Sequence, residues 1–184
     1  MRERGSSVDA QRDLAVANQV LCEAQLAGGD AAGALAHCTR SLALYESLRA
    51  ADPRNVQGVR DLALGHQSMH KVLAVRGTMT ASLAQLERST ILLRQLLQSQ
   101  RDNVPVQRDL ARALLLASTV HARLAADRGA TTEVRTAHRR RAVASYEEAE
   151  GILARLRDRG RSSSGDSALF TRARTAVGSM APGR

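Results

Sequence analysis

Apolar residues recur at every third or fourth position along most of the chain, with polar residues between them. One such stripe comprises Leu35, Cys38, Leu42, Tyr45 and Leu48, and a second comprises Leu83, Leu86, Leu93 and Leu97. This spacing places the apolar residues on one face of an α-helix. Leu and Ala dominate the apolar set and only three residues are aromatic, which favours closely packed helices over a β-sandwich. The pattern predicts an all-α protein.

The same short motif occurs three times in the chain. Arg-Asp-Leu stands at positions 12–14, 60–62 and 108–110, with a constant period of 48. Its leucines, Leu14, Leu62 and Leu110, are expected to face inward, because the apolar pattern around each motif keeps the same phase. The Arg and the Asp are expected near the edge of each unit, with the Asp close to the positive end of a helix.

Each motif follows a helix start signal, and each of the first two is followed by a break. Ser7, Asn55 and Asn103 occupy equivalent positions and are good N-cap residues. Pro105 falls in the first turn of its helix, where a missing N–H costs little. Breaks at 28–30 and 76–78 separate a first helix from a second. Each unit is therefore predicted to be a helix–turn–helix hairpin.

The third unit is longer than the other two. Gly129 stands four positions later than the phase of Gly77 predicts, and the segment from Ala142 stands twelve positions later than the phase of Ala34 predicts. Twelve residues are thus inserted, about four at the end of the first helix and eight at the start of the second. The third hairpin is expected to project beyond its neighbours by roughly 6 Å on one helix and 12 Å on the other.

Three segments, 21–42, 69–90 and more weakly 142–153, resemble tetratricopeptide repeats. The resemblance rests on small residues along paired helices, on Gly29-Asp30 at the first turn, and on Ala142, Tyr146 and Ala149 in the third unit. The repeat length of 48 departs from the family's usual 34. This long form is similar to repeat arrays in larger bacterial regulatory proteins, including serine/threonine kinases, although no kinase motif is present.

The predicted fold is an α-solenoid of three such hairpins with a C-terminal capping helix. The ranges are a lead at 1–7, repeat one at 8–55, repeat two at 56–103, repeat three at 104–160, and a tail at 161–184. The tail begins as a Ser/Gly linker, and Asp166 or Ser167 then caps a short helix whose apolar stripe covers the third hairpin. Its end, from Gly178 to Arg184, is expected to be mobile.

The resemblance also implies a concave groove lined by the first helix of each hairpin. Transferring the family's groove positions gives Gln19, Glu23, Gln67, Lys71, Arg112, Leu115, Thr119 and Arg123. The set becomes more basic toward repeat three, which favours an acidic peptide or a C-terminal carboxylate, because Arg presents a bidentate fork. The family's carboxylate-clamp set is not reproduced, and a merely solvated face is the alternative.

Charge is uneven along the chain. Of the net +9, residues 1–103 carry +2 and residues 104–184 carry +7. The densest basic stretch contains Arg135, His138, Arg139, Arg140 and Arg141. Binding of phosphate or nucleic acid by this stretch is an alternative hypothesis. Against it, the arginines spread around the helix, and no aromatic residue stands beside them to stack on a base. A solvated helix end is favoured.

Other reactive side chains receive structural interpretations. His66 and His70 have an i, i+4 spacing compatible with a metal, but further ligands are missing, so interhelical hydrogen bonds are expected. Cys22 and Cys38, which the resemblance places between two facing helices, are expected to be reduced. The carboxylates Glu147, Glu148 and Glu150 indicate a solvated face. No catalytic set, cofactor or metal site is predicted.

These observations predict a non-catalytic scaffold or adaptor that binds a protein or peptide partner in its groove. The alternatives are a regulatory array belonging to a larger bacterial enzyme, and nucleic-acid or polyanion binding through the basic third hairpin. With no apolar leader and no apolar run of about 20 residues, a cytoplasmic location without membrane contact is expected. Exposed terminal surfaces of so short an array favour self-association.

Overall fold

The computed structural model describes residues 2–161 and 167–178, with side chains described from Ser7 onward. All regular elements in these residues are helices, which confirms the all-α prediction. They are α1 Arg2–Ala27, α2 Ala31–Ala51, α3 Val56–Val75, α4 Met79–Ser99, α5 Val104–Ala125, α6 Thr132–Asp158 and α7 Ser167–Gly178. The described residues up to Leu96 and those from Leu97 onward form two compact units, called here the N-terminal and C-terminal units, and their boundary lies inside α4.

The helix starts agree with the sequence in two of the three repeats. Asn55 Oδ1 accepts the Gly58 N–H at 3.0 Å and caps α3. Asn103 Oδ1 accepts the Val106 N–H at 3.2 Å and caps α5, with Pro105 in the first turn. The prediction for Ser7 is wrong, because α1 begins at Arg2 and runs through it. A good capping residue is also tolerated inside a helix where its side chain reaches solvent, as that of the exposed Ser7 does.

The two predicted breaks are turns that need glycine. Gly29 has a φ of 86° and Gly77 a φ of 79°, in the left-handed region where a side chain is disfavoured. After the first turn, Asp30 Oδ1 accepts the Gly33 N–H at 2.9 Å and caps α2. The chain therefore reverses after α1 and again after α3, as the glycine spacing predicts.

Small residues allow the helices of the N-terminal unit to approach closely. Helix α2 packs against both α1 and α3. A methyl group added at Gly65 of α3 would lie 3.1 Å from side-chain atoms of Leu42 and Tyr45 of α2. Across α1 and α2, Ser41 Oγ donates to the Ala15 carbonyl at 2.8 Å. These contacts give the physical reason for the small residues in the repeat pattern.

The motif leucines do not all face inward. Leu62 and Leu110 are each 3% exposed, as expected, whereas Leu14 is 54% exposed and its prediction is wrong. Leu62 belongs to α3, against which α2 packs. The corresponding face of α1 remains open to solvent, so the same residue at the same motif position has a different environment in repeat one.

In the N-terminal unit, the Arg of the first motif and the Asp of the second connect successive repeats. Asp61 is buried and accepts hydrogen bonds from Arg12 Nε at 2.7 Å and from Gln57 Nε2 at 2.6 Å. The hydrogen bond to Asp61 is the main cause that raises the pKa of Arg12 above its usual value. The ion pair ties α1 of repeat one to α3 of repeat two.

Replacing Asp61 by Ala is expected to lower the free energy of unfolding by about 1–2 kcal/mol, because it removes the acceptor of two hydrogen bonds at a buried site. Asp13→Ala is the matched control, since the exposed Asp13 holds the same motif position in repeat one. It is expected to change stability by less than about 0.5 kcal/mol. Urea unfolding followed by circular dichroism measures both variants, and equal effects would contradict the assignment.

Cys22 and Cys38 form a disulfide, with Cα atoms 5.3 Å apart. The expectation of reduced thiols is wrong, while their placement between facing helices is right. Residues 16 apart in sequence meet here because the turn at 28–30 folds α2 back along α1. Neither residue stands in a CxxC pair, so the spacing itself gave no signal. Disulfides persist mainly in oxidising compartments, and the cytoplasmic assignment stays a prediction.

Reduction of this disulfide is expected to lower the free energy of unfolding by up to about 3 kcal/mol, because the bond closes a short loop in the unfolded chain. Urea midpoints with and without a phosphine reductant measure the difference. A variant carrying both Cys22→Ala and Cys38→Ala is the control and should show no dependence on reductant. An equal reductant effect in this variant would assign the change to another part of the molecule.

The C-terminal unit contains the long third hairpin. Helix α6 has 27 residues against 21 in α4, and the loop at 126–131 is longer than the one at 76–78. The twelve extra residues therefore lie at one end of this hairpin. Fewer of them belong to α5 than the sequence predicts. Ser118 Oγ donates to the Ala142 carbonyl at 2.8 Å and joins α5 to α6.

Helix α7 packs on α5 and α6. Ala173 is fully buried, and the Phe170 ring lies 5.3 Å from that of Tyr146. The helix thus covers part of the third hairpin, as the apolar stripe of the tail predicts. The proposed cap at Asp166 and the expected mobile end beyond Gly178 lie outside the described residues. Within the described ranges, no helix is both long and apolar enough to cross a bilayer.

Candidate partner-binding surfaces

Three of the four proposed groove residues of the N-terminal unit belong to one polar network. Gln19 Nε2 donates to Ser68 Oγ at 3.1 Å, and Ser68 Oγ donates to Glu23 Oε1 at 2.9 Å. Lys71 Nζ also donates to Glu23 Oε1, at 2.8 Å, and both side chains of this ion pair are about half exposed. The structure therefore brings Gln19, Glu23 and Lys71 together on α1 and α3. Their charges largely cancel, so this surface has little net charge of its own.

Gln67 does not lie on that surface. Its side chain is buried, and Nε2 donates to Ser89 Oγ of α4 at 3.1 Å. The equivalent residue of repeat one, Gln19, instead accepts a hydrogen bond from the Tyr45 hydroxyl at 3.0 Å. Burial is the main cause that raises the pKa of Tyr45 to about 12, with the charge of Asp61 acting in the same direction. At both positions a glutamine amide joins a first helix to a second one.

The proposed groove residues of the C-terminal unit lie on α5. Leu115 is 1% exposed and belongs to the core, so it does not present a surface to a partner. Arg112 and Arg123 are exposed, and Thr119 is half-buried between them. Spacings of seven and four positions place these three on one line along the helix. The structure thus retains a basic stripe, defined here as Arg112, Thr119 and Arg123.

The basic stretch of α6 is mostly solvent-exposed. Arg139, Arg140 and Arg141 are exposed, while Arg135 is half-buried and donates to Thr132 Oγ1 at 3.3 Å. His138 belongs to an interhelical contact, because its Nδ1 lies 2.9 Å from Nδ1 of the buried His121. One ring of that pair must donate and the other accept, so at least one imidazole is neutral.

His66 and His70 make separate contacts across α3 and α4. His66 Nδ1 lies 2.7 Å from Gln85 Oε1, and His70 Nδ1 lies 2.7 Å from Ser82 Oγ. The expected interhelical hydrogen bonds are thereby confirmed. The described residues contain no group of three or more metal-ligating side chains. The carboxylates Glu147, Glu148 and Glu150 are all exposed on α6.

The contact of His66 has a counterpart one repeat earlier. His37 Nδ1 lies 2.9 Å from Asn18 Oδ1. Asn18 and His66 occupy equivalent positions of successive repeats, and so do His37 and Gln85. The repeat therefore keeps an amide–imidazole pair between its two helices but exchanges which helix carries the histidine. The repeat alignment contains this signal, although neither His37 nor Asn18 stands out in the sequence alone.

A surface cleft of the C-terminal unit was not anticipated from the sequence. It has a volume of about 490 Å³. Its lining residues are Leu97, Arg101, Asp102, Gln107, Leu110, Glu148, Ile152, Arg155 and Arg159. Arg159 Nη1 lies 3.0 Å from Asp102 Oδ1 at its edge. In the sequence, the i, i+4 spacing of Arg155 and Arg159 is the one feature that indicates the edge of this cleft.

Comparison with protein-family models, with curated proteins and with solved structures finds no match to this chain.

Two buried histidines make stability depend on pH. Burial is the main cause that lowers the pKa of His70 to about 4, and the charge of Lys71 acts in the same direction. Burial also lowers the pKa of His121 to about 4, with His138 and Arg141 as further causes. Between pH 4 and the ordinary histidine value of 6.5, the unfolded chain therefore binds more protons than the folded one.

The free energy of unfolding is accordingly expected to fall as pH decreases from 6.5 toward 4, by at most about 1.4 kcal/mol per pH unit for each histidine. Urea unfolding at a series of pH values measures this slope. In a variant with His70→Gln and His121→Gln the slope should become shallower, leaving the contribution of His66, whose pKa burial also lowers. An unchanged slope would show that these two histidines do not carry the dependence.

Proposed function

We propose that this protein is a non-catalytic interaction module of the tetratricopeptide type. Its three helical hairpins form an α-solenoid capped by α7, and it binds a protein or peptide partner. Support comes from the repeat phase, which recurs in the Asn18–His37 and His66–Gln85 contacts, and from the Arg12–Asp61 ion pair between successive repeats. Modules of this architecture usually act by presenting an extended surface.

The basic stripe on α5 is the observation that carries the choice of partner. Arg112 and Arg123 are exposed and lie roughly 16 Å apart along the helix at its 1.5 Å rise per residue. A guanidinium group binds carboxylates through two parallel hydrogen bonds, so two of them along a helix suit an extended acidic segment. The preferred partner therefore carries its acidic residues, or its terminal carboxylate, against α5.

Replacing both Arg112 and Arg123 by Glu is expected to weaken the binding of an acidic peptide at least about tenfold, because two attractive contacts become repulsive. The probe is a fluorescein-labelled peptide of alternating Asp, Glu and Leu residues with a free C-terminal carboxylate. Fluorescence anisotropy at low ionic strength gives the dissociation constant. An otherwise identical amidated peptide separates recognition of the terminal carboxylate from recognition of the acidic side chains.

Two control variants make this test specific to the basic stripe. Arg101→Glu with Arg155→Glu changes the charge equally in the same unit, but at the cleft. Replacing Arg139, Arg140 and Arg141 by Ala removes the exposed basic patch of α6. If binding survives in the α5 variant and is lost in either control, the basic stripe is not the site. Loss only in the α6 variant would favour the alternative hypothesis that the basic third hairpin binds nucleic acid or another polyanion. An oligonucleotide probe then tests that hypothesis directly.

A further inference from the structure

A second cleft, in the N-terminal unit, combines an apolar floor with charged walls. This α2–α4 cleft is lined by Arg49 of α2, by Leu62 of α3, and by Arg88 and Leu92 of α4. Its volume of about 450 Å³ lies in the usual range of ligand pockets, roughly 300–1,000 Å³. Leu62 and Leu92 form the floor, because they are 3% and 5% exposed, and the 54% exposed Ile91 stands at the edge. The cleft therefore offers an apolar surface to a small ligand.

Two arginines and one carboxylate converge on this cleft. Arg49 extends from α2 and Arg88 from α4, and Glu46 lies one turn before Arg49. Burial is the main cause that lowers the pKa of His66 in the same cleft. The charges of Arg88 and Arg49 lower it further, against the hydrogen bond to Gln85 and the charge of Glu46. Both guanidinium groups thus lie near one imidazole. Neither forms an ion pair within the described residues, and the cleft keeps a net charge of +1 from two arginines and one glutamate.

The repeat architecture does not require these two arginines. The cleft of the C-terminal unit occupies the equivalent place in its own repeat, since Leu110 in its lining corresponds to Leu62. There, Leu97 and Glu148 stand at the positions of the two arginines, once the twelve inserted residues are counted. A general role in helix packing therefore does not account for the arginines of the α2–α4 cleft.

We infer that the α2–α4 cleft binds a monocarboxylate carried on an aliphatic group. The guanidinium groups of Arg49 and Arg88 hold the carboxylate, because an arginine donates two parallel hydrogen bonds to such a group. The aliphatic part lies on Leu62, Leu92 and Ile91, where it is removed from water. A net charge of +1 balances one negative charge, but not the nearly two charges of a phosphate monoester. A free aliphatic acid and the C-terminal residue of a peptide both offer this chemistry, and the site is separate from the basic stripe of α5.

Proton NMR of the full chain tests the inference, because the ring protons of His66 report on the cleft. The His66→Gln variant identifies their resonances. Octanoate represents a free acid and N-acetyl-leucine represents a peptide terminus, and at least one is expected to shift these resonances to saturation. Acetate, which lacks the aliphatic group, and N-acetyl-leucinamide, which lacks the charge, should bind at least about tenfold more weakly. Saturation by octanoate alone identifies a free acid as the source, and saturation by N-acetyl-leucine includes a peptide terminus.

A charge-matched pair of variants tests the role of the arginines. Arg49→Gln with Arg88→Gln is expected to weaken binding of the carboxylate at least about tenfold, because both bidentate donors are lost. Arg40→Gln with Arg76→Gln is the control and should bind as the native chain does, since both residues are exposed in the same unit and outside the cleft. Circular dichroism checks that both double variants keep their helices.

Three results would overturn the inference. The first is failure of both carboxylates to saturate the native chain. The second is binding of the uncharged amide as tightly as N-acetyl-leucine and octanoate, which needs no variant to be measured. The third is unchanged binding after loss of Arg49 and Arg88.

Discussion

The ion pair between Arg12 and Asp61 sets how one repeat lies against the next in the N-terminal unit. A carboxylate buried at this position requires donors, and Arg12 and Gln57 supply them at 2.7 and 2.6 Å. Because the donor belongs to repeat one and the acceptor to repeat two, the pair fixes the register of α1 against α3. The polar network of Gln19, Ser68, Glu23 and Lys71 then continues along the same two helices.

The same motif has different consequences at its other occurrences, because the environment differs. Arg108, the arginine of the third motif, donates from Nη2 to the Arg161 carbonyl at 2.7 Å. Asp13, the aspartate of the first motif, is exposed, and Leu14 beside it is exposed as well. Repetition of sequence therefore gives repetition of contacts only where a neighbouring helix is present. Where it is absent, the motif residues stay exposed to solvent.

Helix positions and turns followed from the sequence because they depend on local chemistry. Asn55, Asn103, Gly29 and Gly77 act through their own backbone neighbourhood, so their roles could be derived without knowledge of the fold. Ser7 shows the limit of this reasoning. A capping residue marks a possible start, but helical residues before it can extend the helix past that position.

The candidate site was less predictable because exposure depends on packing. The family resemblance implied that Gln67 and Leu115 line a groove, yet both are buried, while Arg112 and Arg123, assigned in the same way, are exposed. The disulfide between Cys22 and Cys38 depends on the turn that brings α1 and α2 together, so cysteine spacing alone did not reveal it. The amide–histidine pairs across helices, Asn18–His37 and His66–Gln85, are recognised as equivalent only when the first two repeats are aligned by their period of 48.

A double-mutant cycle on Arg12 and Asp61 tests most directly whether the repeated motif connects successive repeats. Arg12→Met and Asp61→Asn are combined, and the free energy of unfolding is measured for the native chain, both single variants and the double variant. A repeat-to-repeat ion pair predicts a coupling energy of about 0.5–1 kcal/mol, moderated by the partial exposure of Arg12. Strict additivity of the two substitutions would contradict the account, because it would mean that the two motif residues do not interact.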